Sequence, residues 1–261
     1  MADVYVNTWA EFLEAVATEG NTVICPSQAI WDMNEIEPEG VTALPTVKCT
    51  SIQGNGTEIR NLKTTTYFPL EMPYVQSVNN LHFVNFIADN GVFFISHSGH
   101  MWFHGCKFSG LCGAQALGVI VCGTNQNASA DRCSFLIDAQ RAGAFHAVNM
   151  TAKFCRFSIA VPNGTFTMPY NLQWCYVRAD TPLQQGICPA GSLACVFDGD
   201  MQNVTQAQEP SHTYISIFNK SSMPGLQESE YLKGVTTEQL LNADYLYSIG
   251  FPIGVDPEDV D

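Results

Sequence analysis

Asp180 and Asp200 are the two side chains of this 261-residue chain whose spacing best suits joint chemistry. Each stands five residues beyond a cysteine, Cys175 or Cys195, and those cysteines are twenty residues apart. A chain that coils once per twenty residues would bring the two carboxylates onto neighbouring strands roughly 5 Å apart, the separation used by retaining glycosidases for a nucleophile and a general acid. Aspartate is equally an ordinary turn residue at a strand end. One and two units earlier the equivalent places hold Ala160 and Asp138. A second constellation, His97, His100 and His104, has a metal-like spacing, but its segment reads as strand, turn and strand, so the three rings need not converge. The ten cysteines contain no Cys-x2–4-Cys pair of the kind zinc sites use. No phosphate-binding loop, dinucleotide fingerprint or Gly-x-Ser-x-Gly elbow occurs. Neither a metal nor a cofactor is expected.

The elements that must hold these residues show in the spacing of Cys-x-Phe. Cys106-Lys107-Phe108, Cys133-Ser134-Phe135, Cys155-Arg156-Phe157, Cys175-Tyr176-Val177 and Cys195-Val196-Phe197 form a column, extended by Asn61-Leu62, Asn85-Phe86 and Ser216-Ile217-Phe218. Successive steps are 24, 21, 27, 22, 20, 20 and 21 residues, each the length of a solenoid turn. Short apolar runs after Gly91, Gly118, Gly143, Gly164 and Gly186 make a second column, so each unit is a glycine turn, a short strand, a variable loop and a second strand bearing the cysteine. Side chains two apart on a strand share a face, which sends both Cys and Phe into the core. Stacked coils would make Cys106, Cys133, Cys155, Cys175 and Cys195 a ladder of buried reduced thiols, their parallel Cβ vectors ill suited to disulfides.

This periodicity resembles the right-handed parallel β-helix of pectate-lyase and tailspike type. The resemblance implies an all-β solenoid over residues 46–220, an N-terminal cap over 1–45 containing a helix and the first strands, and an acidic C-terminal segment over 221–261 with one helix. Thr8-Trp9-Ala10-Glu11 is a capping box opening the first helix, with Trp9, Phe12, Leu13 and Val16 on one face; Thr236-Thr237-Glu238-Gln239 opens the second. A solenoid must cover its unpaired strand edges. The first helix is expected at one end, the second at the other end or against a neighbouring subunit.

Charge divides the same way. Residues 1–47 hold eight acids and no Lys or Arg, residues 221–261 eight acids and one Lys, within a net charge of −14. Such a balance argues against binding nucleic acid or anionic lipid. No run of 18 apolar residues occurs and the first residues are acidic, so neither a membrane-inserted segment nor a signal peptide is expected. The polygalacturonase-type motifs Asn-Thr-Asp, Asp-Asp, Gly-His-Gly and Arg-Ile-Lys do not occur. In Val92 to Ile95 and Val119 to Val121 apolar residues occupy both strand faces, so something must cover the outside, and a homotrimer would do so. Together with the resemblance, these features lead to the expectation of a non-catalytic structural or attachment protein of a tailed-phage virion: a tail, fibre or head-decoration component. Its expected partners are itself, other virion proteins and a host surface glycan. The alternatives are a polysaccharide depolymerase using Asp180 and Asp200, and a carbohydrate- or protein-binding module using Trp31, Trp102 or Trp174.

Overall fold

The computed structural model describes residues 2–70, 76–89, 94–96, 100–113, 118–122, 127–140, 144–148, 151–161, 165–166, 171–183, 187–188, 193–201, 205–206 and 215–251. Every strand pairing among them is parallel. The protein is thus an all-β parallel solenoid. One coil comprises His100–His104, a corner at Gly105 and Cys106, Lys107–Cys112 and Gly118–Cys122. The next repeats it as Asn127–Asp131, Ser134–Ala139 and Ala144–Val148.

Register sets what is stacked. Phe83, Phe108, Phe135, Phe157, Val177, Phe197 and Phe218 are successive partners up the sheet. All are buried, and the first four rings stack nearly parallel with centroids 5.7, 5.2 and 5.0 Å apart. One rung spacing of a parallel sheet is ~4.8 Å, so identical residues on one column meet as an offset stack without adjustment.

The five column cysteines are buried and unbridged. They sit at a corner between two strands, however, rather than within a strand, so each coil has one more strand than the Cys-x-Phe spacing suggests. The residue before each cysteine is left-handed: Gly105, Arg132, Phe154, Trp174 and Ala194 have φ between 50° and 63°. That conformation reverses the chain sharply enough to leave Cys and the Phe two residues on both facing inward. Register also corrects the weak extension of the column. Phe83 pairs with Phe108 and Ile59 with Phe83, so the lower equivalents of Cys106 are Leu81 and Thr57, not Asn85 and Asn61. Asn61 and Asn85 mimic the motif because they too are left-handed, a conformation asparagine tolerates. At the upper end, Ser216 does take the cysteine position, its hydroxyl accepting from the Cys195 N–H at 3.2 Å.

The glycine column is a real sheet with a different register: Phe68–Leu70, Phe94–Ser96, Gly118–Cys122, Ala144–Val148 and Thr165–Phe166 pair in that order, but Gly118 faces His146. Gly91, Val92, Gly143, Gly164 and Gly186 lie outside the described residues.

Both ends of the ladder reach beyond 46–220. Asp3 pairs with Thr22, Thr22 with Ser51 and Ser51 with Ser77, while Leu232–Val235 adds a rung above Ser216–Asn219. The helix Trp9–Val16 forms with both halves of its capping box, and Trp9 and Phe12 pack against Trp31 inside the first coils. At the other end the expected single helix is two, Thr237–Leu240 and Ala243–Ser248, because Asn242 breaks the first and caps the second through the Tyr245 N–H. These helices do not extend the interior; they lie on the outside. Tyr176, Val196 and Ile217 are successive register partners facing away from Val177, Phe197 and Phe218, and they are buried in a second cluster with Leu240, Leu246 and Phe251.

On this surface the outer cover is the chain's own tail. Val119 and Ile120, adjacent residues of opposite parity, are also both fully buried within one chain. No helix among the described residues is long and apolar enough to cross a membrane.

Candidate functional site

Strand register is irregular where Asp180 and Asp200 stand. Tyr176–Leu183 and Val196–Met201 pair regularly up to Ala179 opposite Gly199, then resume at Leu183 opposite Met201. Asp180, Thr181 and Pro182 thus stand against Asp200 alone, and the two aspartates are not register partners. Gly199 makes the irregularity possible: its φ is +84°, and a Cβ there would come within 2.1 Å of the Ala179 carbonyl oxygen. Asp200 is exposed.

Histidine placement follows from strand geometry. His97 lies outside the described residues, and His100 and His104 end one strand, four residues and so about 13 Å apart. His104 instead meets the next coil, with Nδ1 2.7 Å from the Asp131 carboxylate, which also accepts from Arg132 at 2.9 Å. No group of three or more metal-ligating side chains gathers among the described residues. The five column thiols are all buried, and burial pushes Cys175 up. Outside the column, burial pushes Cys25, Cys49 and Cys112 up from 9.0 to about 12.

Three arrangements were not legible in the sequence. At the left-handed corner, Arg132 lies 5.1 Å over the Phe154 ring, and Phe154 stacks on Trp174 at 5.2 Å, making a cation–aromatic–aromatic column whose middle ring is 46% exposed. Nothing in a Cys-x-Phe spacing marks the preceding residue as a corner, although the repeat places all three at the same offset. The second arrangement is buried. Asp198, 5% exposed, accepts from Tyr176 Oη at 2.8 Å, from Ser222 Oγ and from the Gly199 N–H at 2.8 Å. Burial pushes this carboxyl up, but hydrogen bonds from Ser222, Tyr176, Gly199 and Asn219 outweigh it and hold it below its ordinary value. Its own burial, and then the bond to Asp198, raise the Tyr176 phenol. Asn219 hydrogen-bonds Thr237 at the start of the C-terminal helices, so the network ties the tail to the coils.

The third is an open groove of about 350 Å³ on the outer face. Lys63, Ile87, Leu111 and Asp138 are consecutive register partners across four coils and line it, with Asn61 and Asn85 beside them. The Asn85 amide donates to Asn61 Oδ1 at 3.0 Å, and Asn61 donates to Asp32 at 2.9 Å. One cation and one carboxylate, three ~4.8 Å steps apart, can hold a ligand but cannot cleave it by a paired-acid route. No protein-family model, curated protein or solved structure matches this chain. Function therefore rests on the chain's own geometry.

Proposed function

We propose that this chain is a non-catalytic structural and attachment component of a tailed-phage virion, a tail, fibre or head-decoration protein that works as a homo-oligomer among other virion proteins. The reading is carried by the buried register partners from Phe83 to Phe218, which run as one column through seven successive rungs. Stacked Phe rings and buried thiols support it further, since such coils make a stiff shaft whose stability is a sum of neighbour contacts. The assignment to a virion is fold-level analogy. Contact between copies falls to surfaces other than Val119 and Ile120; Trp102 and Phe154, each about half exposed, are among the exposed large apolar groups of the described coils.

The test combines composition with catalysis. Mass spectrometry of particles purified from the host should find the chain at several copies each, and sedimentation of the isolated protein should give a single oligomer. Asp180→Asn and Asp200→Asn should leave both results unchanged, and the wild-type protein should release no reducing ends or unsaturated products from host capsule or lipopolysaccharide. Product release lost in either variant would replace this reading with a depolymerase.

A further inference from the structure

The first strand, Asp3–Tyr5, pairs with Thr22–Ile24 and with no other strand among the described residues. Its hydrogen bonds show which edge is open. Thr22 N–H donates to the Ala2 carbonyl at 2.9 Å and Val6 N–H to the Ile24 carbonyl at 3.0 Å, so the even-numbered residues serve the existing ladder. In a parallel pair alternate residues turn their polar groups to opposite sides, which leaves the N–H and C=O of Asp3 and Tyr5 pointing outward. Both residues are exposed, Tyr5 by 72%. An unpaired strand edge is a template for one more strand.

The charge around the edge selects its occupant. Asp3, Glu11 and Glu14 are exposed, and Lys48, whose N–H donates to the Val16 carbonyl, stands at the other end of the first helix. A second copy stacked head to tail would bring up its last rung, Leu232–Val235, and the described residues 221–251 around it carry four acids and one Lys. Like charges would then meet at close range, so the opposite end of the same chain is a poor occupant. We infer that the Asp3–Tyr5 edge receives an extended, lysine- or arginine-bearing strand of another protein, which continues the parallel ladder below the first coil. This gives the structural reading a joining surface and rests on that reading only for the partner's place in a particle. The partner's backbone pairs with Asp3 and Tyr5, and its cations meet the acids of the first strand and helix.

The experiment uses the full-length protein, a synthetic peptide of alternating Lys and Val, and its Glu and Val counterpart. Binding of the Lys peptide should slow hydrogen exchange at the Asp3 and Tyr5 amides, weaken steeply with added salt, and be at least about tenfold tighter than binding of the Glu peptide. Tyr5→Pro removes an outward N–H that the existing ladder does not use, so it should abolish that protection while leaving the thermal midpoint in place. The double charge reversal Asp3→Lys with Glu14→Lys keeps every backbone donor and should transfer preference to the Glu peptide, which covers the case in which proline disturbs the cap. No binding of the Lys peptide by the wild type, equal binding of the two peptides, or protection that survives Tyr5→Pro would each overturn the inference. None of these results bears on whether the chain is found in particles.

Discussion

Inside the coils, Phe83, Phe108, Phe135 and Phe157 put one residue type at one register position on four successive rungs, whereas the outer cluster joins three strand residues, Tyr176, Val196 and Ile217, to Leu240, Leu246 and Phe251 of a tail that occurs once. The interior column is closed on all sides by its own neighbours. The outer cluster exists only while the tail stays folded onto it. One apolar region is therefore a property of the repeat and the other a property of a single contact, so they should fail differently. Below Tyr176 the same outer column holds Arg156, Ser134, Lys107 and His82, polar residues that need no cover. The change from polar to apolar coincides with the reach of the tail.

Truncating the interior should have the largest effect. Phe135→Ala removes a ring stacked on both sides and should cost about 3–5 kcal/mol in denaturant unfolding. Hydrogen exchange should speed up in the coils above and below together. Leu246→Ala should cost about 2–4 kcal/mol of local stability and raise exchange in 237–251 while amides of the Phe135 coil keep their protection. Equal loss of protection in both regions would show that tail and coils are one cooperative unit.

Asp198→Asn tests the polar tie between them, at about 1–3 kcal/mol. Because the folded carboxyl titrates below its ordinary 3.8, its stabilisation is present above that value and is lost as pH falls through the lower folded value. The wild type should thus lose stability in that acid window, and the Asn variant should lose less there. The interior responds to base instead. Cys25, Cys49 and Cys112 titrate at about 12 when folded and near 9.0 when unfolded, so stability is full below 9 and declines between 9 and 12. At one pH unit above 9.0 the decline should be about 1 kcal/mol per thiol, and Cys112→Ala should flatten the urea-midpoint profile by one thiol's share. Tyr176→Phe, the mildest change, deletes one hydrogen bond to Asp198 and should cost about 1 kcal/mol, additive with Phe135→Ala but not with Asp198→Asn.

The amino-acid sequence alone determined the repeat, its length near twenty residues, the inward Cys and Phe positions and both capping boxes. Each depends on short-range chemistry: alternation of side chains along a strand, and a hydroxyl and a carboxylate or amide three residues apart. Register was decided only by the tertiary structure, because a coil may gain or lose a residue at a corner without changing the pattern within any strand. The left-handed corners at Arg132, Phe154 and Trp174, the three-against-one bulge at Asp200, and the displacement of the column from Phe86 to Phe83 are all features of corners and bulges that the pattern within a strand does not carry. The groove from Lys63 to Asp138 joins members that are about 25 residues apart in sequence and adjacent only through the ladder. The outer cover was hidden for a different reason: the apolar parity of Val196 and Ile217 reports that a surface is buried, while only the packed fold shows that the chain's own tail buries it.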